Sequence, residues 1–246
     1  MLETQVFQPG NYRFISHAFQ YSGGVEALTG YAIERVRFSK LLPLAEGFAA
    51  AEAHMARIGR PPTSFCACEL RSPGQFTDQG FIDFNRHYVQ QLAAWGIFHN
   101  EINPVARSNV CPEINPPRDP SFYAFSYTVP GVQGFVVAGS GEAGGAEGPY
   151  GPRIVRLGDQ SPDGMRDKAR FVLGAMEERM SALGKGWDDV TETQLYTIFD
   201  IYAHFADEFI RRGAAPGGLT WHYCRPPVQG LDYEVDVRGV TKELVI

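Results

Sequence analysis

The chain has 246 residues, 44% hydrophobic and 13% aromatic, enough apolar material for one large core or two of about half that length, which excludes a disordered or fibrous protein. Its 28 acids against 22 bases give a net charge of −6, and no basic cluster exceeds Arg211-Arg212, so no nucleic-acid partner is expected. Without an 18-residue apolar run, or a basic start leading into an apolar stretch, neither a membrane span nor a secretory leader is expected, and the chain reads as cytoplasmic.

Strand-like sequence opens the first half at 11–20 and 32–38. Leu44, Phe48, Ala51, Met55 and Ile58 then step by three and four, a helix that Gly59 and Pro61-Pro62 end. A strand at 64–70 follows, carrying Cys66 and Cys68 on one predicted face as small core residues. Phe81, Phe84, Tyr88, Leu92 and Trp95 mark a second helix closed by Gly96, and strands at 104–111 and 122–129 complete the half.

The second half repeats this order. Strand-like runs at 134–138 and 153–157 flank a glycine-rich loop at 139–151. Met165, Ala169, Val172, Leu173, Met176, Met180 and Leu183 form a helical stripe that stops at Gly184, a strand follows at 190–198, and Ile201, Phe205 and Phe209 make a shorter helix ending at Gly213. Strands at 219–224 and 231–237 close the chain. Each half therefore reads β-β-α-β-α-β-β, an α+β unit with both helices on one sheet face. The boundary falls at Pro130-Gly131, giving units 1–130 and 131–246, and the uncovered sheet faces call for docking of the halves or for oligomerisation.

Local chemistry is sparse. The six histidines never take the i, i+4 spacing of a helical metal pair, and Cys66, Cys68, Cys111 and Cys224 are too few and too irregular for a disulfide framework, so neither metal nor disulfide is expected. Arg107 stands in a strand of small and apolar residues, where it is a surface residue, the partner of a structural carboxylate, or the anchor of an anionic ligand. Glu234, between Tyr233 and Val235, points by alternation away from the helix side, which reads most simply as a solvated acid on the outer face.

The sequence 84–88 (Phe-Asn-Arg-His-Tyr), the strand 104–110 (Pro-Val-Ala-Arg-Ser-Asn-Val), the apolar strand 135–141 ending in Ser140-Gly141, and the closing strand around Glu234 resemble motifs of the YjgF/Rid enamine/imine deaminases. The resemblance covers most of the chain and implies two tandem chorismate-mutase-like units, trimeric assembly and no cofactor. It implies a site in which Arg107 anchors a substrate carboxylate, Ser140 and Gly141 offer backbone donors, Asn85 and Asn109 orient the substrate, and Glu234 handles water and proton, with Glu142 in reserve. The halves have lost complementary pieces: the first keeps Asn85 and Arg107, the second Ser140, Gly141 and Glu234, which implies a composite site between them.

Fused, diverged units of this kind are similar to the aminomuconate deaminases, including the 2-amino-5-chloromuconate type, which implies a small anionic substrate, a dicarboxylate enamine hydrolysed to a 2-oxo acid and ammonia. Arg71 or Arg225 would add local positive charge. Two alternatives stand beside this reading. One is a small-molecule-binding protein without catalysis. The other is a cyclic-imide ring-opening amidohydrolase, which needs a Ser-Lys pair that Lys40, Lys168, Lys185 and Lys242 do not offer beside a strand serine.

Overall fold

Local signals set the main helices in the computed structural model, which describes residues 2–145 and 148–246; Ala146 and Glu147, within the predicted glycine-rich loop, lie outside the described residues. α1 (Leu44–Arg57) follows Pro43 and stops before Gly59. α2 (Asp78–Ala94) starts where the Thr77 hydroxyl accepts the Gly80 amide at 3.1 Å, and α3 (Pro162–Ala182) where Ser161 accepts that of Gly164 at 3.1 Å. Gly96 and Gly184 then take left-handed φ of 73° and 71° just past the ends of α2 and α3. α4 is short, Tyr202–Phe205, and runs into a π turn at Ala206–Ile210.

The strands are β1 (Thr4–Phe7), β2 (Tyr12–Ile15), β3 (Gly24–Ala27), β4 (Tyr31–Pro43), β5 (Phe65–Arg71), β6 (Ala106–Pro112) and β7 (Ser121–Pro130) before the predicted boundary. After it come β8 (Phe135–Gly141), β9 (Glu192–Tyr196), β10 (Leu219–His222), β11 (Cys224–Arg225), β12 (Glu234–Gly239) and β13 (Glu243–Val245). They form two sheets, ordered β11-β6-β5-β7-β4-β13 and β1-β2-β3-β8-β12-β9-β10. Within these, β4-β7-β5-β6 and β8-β12-β9-β10 repeat one connectivity: two antiparallel pairings and then a parallel one, β5 with β6 and β9 with β10. The fold is thus α+β with two tandem units, each sheet carrying helices on one face.

The strand inventory departs from expectation at both ends of the repeat. No strand forms at 153–157, because Pro152 lacks an amide for a ladder, Arg156 has φ of 51°, and Ile154 packs instead with Val228 and Leu231. That place on the second sheet is taken by β3, paired with β8, with β2 and β1 beyond it. The end of the chain reciprocates, β13 adding to β4 in the first sheet.

Two helical layers enclose the two sheets. α1 and α2 cover the first sheet over Phe48, Met55, Tyr88, Leu92, Phe65 and Phe122, while α3 and the α4 segment cover the second over Met165, Met176, Phe209, Leu195 and Val235. The other two faces meet each other in a seam that is apolar around Phe14, Val25, Ile33, Cys66 and Ala138 and polar beside it. Ser108 of β6 donates to Asp236 of β12 at 2.5 Å, and Gln194 of β9 donates to Glu69 of β5 at 3.1 Å, Glu69 being held by both ends of the Arg35 guanidinium at 2.6 and 2.9 Å.

The seam corrects two expectations. Glu234, read as a solvated outer-face acid, is only 4% exposed, because the outer face of its strand is the face against the other sheet. Cys66 and Cys68 do not share a face: a bulge at Phe65/Ala67 in the β5-β7 pairing turns Cys66 to the seam and Cys68 to the helix side, where its sulfur lies 3.3 Å from the Tyr88 hydroxyl. All four cysteines are free and buried.

Candidate active site

A cavity of about 160 Å³ lies where the two sheets meet beside β6, and both halves of one chain line it. Its first-half wall includes Arg107 and Asn109 of β6, Phe81 of α2, and Tyr21 from the 16–23 connection. That connection is tied to β6: the Ser22 amide donates to the Val105 carbonyl at 2.8 Å, and the Asn103 amide to the carbonyls of Phe19 and Gln20 at 3.2 and 2.9 Å. A second tie runs between the halves, where the Gln75 side chain donates to the carbonyls of Pro226, Val228 and Leu231 at 3.0–3.1 Å.

Arg107 is 2% exposed, its guanidinium lying over the ring of Tyr88 at 4.6 Å and within 5.3 Å of that of Tyr21. None of its Nε, Nη1 and Nη2 atoms has a hydrogen-bond partner among the described residues. A buried cation with no paired donor is costly, and an anion entering the cavity removes the deficit. Asn109 adds to it: its Oδ1 accepts from Ser72 at 2.9 Å, which orients the amide and leaves a buried Nδ2 with no partner among the described residues. Of the three readings open for Arg107, the surface residue is excluded by burial and the structural ion pair by the absence of any carboxylate at salt-bridge distance among the described residues.

The second-half wall is built by the β8-β12 pairing, which sets Glu234 opposite Gly141 and Val235 opposite Ser140. Glu234 Oε1 packs on the backbone of Gly139, where an added methyl group would lie 2.1 Å from it and displace the carboxyl group from this position. Among the described residues nothing hydrogen-bonds the Glu234 carboxylate, and the side chain borders the cavity. Burial, reinforced by the negative charge of Asp236, holds its pKa well above the usual carboxylate range, against the pull of Arg107. Glu234 is therefore biased toward the proton-carrying form.

Arg107, Asn109, Ser140, Gly141 and Glu234 are thus brought to one cavity, and Asn85 and Glu142 are not among its lining residues. Asn85 is fully buried on α2, its amide donating to the Phe81 carbonyl at 2.6 Å and its Oδ1 left without a partner among the described residues. Glu142, expected in reserve for acid-base work, spends both oxygens on the backbone amides of Asp232 and Tyr233, at 2.6 and 3.0 Å. There it fastens the end of β8 to the start of β12, next to Glu234. Burial raises its pKa to about 7, and the amides and Lys168, 3.5 Å away, oppose the rise.

Four contributors escaped the sequence reading. Arg179 of α3, Arg153, His17 and Tyr21 all line the cavity. Lys168 and Arg179 fall on the buried stripe of α3; two cations on the apolar face of a helix were the available signal. Burial, with Arg179 and Arg153 nearby, lowers His17 to about 4, so its ring is neutral near pH 7. Of the two arginines expected to add local charge, Arg225 pairs with Glu113 at 2.7 Å, whereas Arg71, stacked on Tyr123 at 4.1 Å and outside the cavity lining, acts on Glu234 in the same sense as Arg107. Lys168 is ion-paired with Asp232 and Glu142, so it is not the free lysine of a Ser-Lys pair.

Fold and cavity together define a fused two-unit α+β protein with a cavity that both halves line and that Arg107 enters without a protein partner among the described residues. The family described as 2-aminomuconate deaminase CnbZ matches residues 4–244. The 2-amino-5-chloromuconate deaminase of Comamonas testosteroni is 53% identical over 251 aligned residues, which take in 100% of both chains. Among solved structures, a chorismatase at 13% identity aligns with a TM-score of 0.46 over 89% of this chain and 77% of its own. The YjgF gene product of E. coli, at 16% identity, aligns with a TM-score of 0.31 over 44% of this chain and 81% of its own. The chain belongs to the 2-aminomuconate deaminase family.

Proposed function

We infer that the protein is a hydrolytic deaminase of a carboxylate-bearing enamine of the 2-aminomuconate type, giving a 2-oxo acid and ammonia. The observation that carries this is the buried guanidinium of Arg107, without a protein partner among the described residues, in the same cavity as the buried carboxyl group of Glu234. Family membership and the name of the Comamonas relative support the choice of substrate.

Arg107 and the free Nδ2 of Asn109 bind the carboxylate beside the amine-bearing carbon, placing that carbon near Glu234. Glu234 gives its proton to the neighbouring enamine carbon, and the C=C electron pair forms that C–H bond while the nitrogen lone pair makes the iminium C=N. Water then adds to the iminium carbon and its proton passes to the Glu234 carboxylate, leaving a carbinolamine. Transfer of that proton to nitrogen, cleavage of C–N and formation of C=O, with the carbinolamine hydroxyl proton returning to the Glu234 carboxylate, release ammonia and the 2-oxo acid. One enamine and one water are consumed, and Glu234 ends as it began. The backbone about Ser140 and Gly141 offers further donors toward the bound anion.

In this reading residues 1–130 and 131–246 are the two units, each lending strands to the other's sheet. Three chains form the assembly, as the YjgF/Rid resemblance implies, and a single-chain mass by light scattering is the result against it. The activity itself is tested by mixing the protein with freshly generated 2-aminomuconate and following ammonia. Catalysed release at one ammonia per substrate consumed is expected, and substrate binding with ammonia at the uncatalysed rate contradicts the assignment.

A further inference from the structure

The cavity holds more positive charge than one carboxylate needs. Arg107, Arg153 and Arg179 all line it, and none has a carboxylate at salt-bridge distance among the described residues of a chain with net charge −6. Arg153 is committed to its own loop, donating to the carbonyls of Pro149, Gly144, Gly145 and Gly148 at 2.6–3.0 Å. Arg179 is committed only in part. Nη1 donates to the carbonyl of Ala138 at 2.9 Å and more weakly to that of Gly139 at 3.4 Å, while Nε and Nη2 make no hydrogen bond among the described residues. The residue is 8% exposed and arises from α3, whereas Arg107 reaches the cavity from β6 on the other sheet.

Gly139 links this second cation to the proposed chemistry. Its carbonyl takes the Arg179 contact, and its Cα is the surface on which the Glu234 carboxyl group rests. Each cation thus comes from a different unit, with Glu234 in the same cavity. A substrate with a carboxylate at each end of a conjugated chain has the charge pattern that this arrangement complements.

We propose that Arg179, with the field of Arg153 behind it, is a second carboxylate subsite that holds the distal carboxylate of the substrate while Arg107 and Asn109 hold the one beside the amine. Arg179 is then the residue that selects dicarboxylates over monocarboxylates. The inference rests on the deaminase reading, and a probe that needs no turnover separates the two.

trans,trans-Muconate and sorbate share one conjugated skeleton and differ in a carboxylate against a methyl group, so the ratio of their dissociation constants, measured by calorimetry, reports the second subsite alone. Wild-type protein is expected to bind muconate about 10- to 100-fold tighter than sorbate, the size of a charge-assisted hydrogen-bonded contact. Arg179→Gln is expected to bring that ratio close to one through loss of muconate affinity, and Arg179→Lys, which keeps the charge, to retain a ratio above that of Arg179→Gln. Equal weakening of both ligands by Arg179→Gln overturns the subsite and leaves Arg179 as a structural tie to Ala138. An unchanged ratio overturns it as well. Absence of ammonia release from 2-aminomuconate by wild-type protein, alongside the expected ratios, defeats the deaminase reading and leaves a dicarboxylate-binding site.

Discussion

Glu234→Gln is expected to lower kcat on 2-aminomuconate by about 10² to 10⁴, the usual worth of a positioned proton donor and acceptor, with little change in KM. The substitution keeps the volume over Gly139 and removes the only carboxyl group that lines the cavity from β12. The sign of the accompanying pH dependence follows from the raised pKa. The first step uses the protonated acid, so activity holds below the Glu234 pKa and falls as pH rises through it. Asp236→Asn removes a negative neighbour that raises this pKa, and so moves the alkaline limb of the profile to lower pH. A Glu234→Gln enzyme within about tenfold of wild type, with the alkaline limb unmoved, assigns the proton work elsewhere.

Arg107→Met carries two expected effects of opposite sign. Loss of the buried anchor is expected to reduce kcat/KM by about 30- to 3,000-fold, the range for truncating one partner of a desolvated charge pair. The guanidinium, however, is buried with no hydrogen-bond partner among the described residues, and aromatic rings of Tyr21, Phe84 and Tyr88 surround it. An apolar side chain of similar length suits that setting better, so resistance to urea is expected to rise by about 1–4 kcal/mol. A residue kept at a cost to stability is the mark of a binding site. An Arg107→Met protein that loses stability and activity together makes Arg107 a structural residue instead.

Helix positions were legible in the sequence because α1, α2 and α3 each carry an apolar stripe and a terminal glycine. The repeat was legible for the same reason. Exchange of strands between the sheets was not, because β1, β2 and β3 have the local pattern of any antiparallel strand, and only distant pairing, such as Val25 with Val136, decides which sheet they join. Arg107, Asn109, Ser140, Gly141 and Glu234 came from resemblance to a family pattern, and one cavity takes all five. Arg179 was hidden by its helix. Periodicity marks a position as buried without saying that its long side chain reaches past Ala138 and Gly139 to a cavity. Asn85 came from the helix motif and Glu142 from its place just after the Ser140-Gly141 loop, and neither fixes direction: the Glu142 carboxylate turns to the amides of Asp232 and Tyr233.

In the proposed mechanism one cavity, shared by both halves of a single chain, holds the substrate between Arg107 and Glu234. A crystal structure of Glu234→Gln protein soaked with 2-aminomuconate tests it most directly. A carboxylate forked onto Arg107 and bonded to Asn109 is expected, with the amine-bearing carbon and its neighbour against residue 234. Substrate bound with its carboxylates away from Arg107, or its amine-bearing carbon out of reach of residue 234, contradicts it.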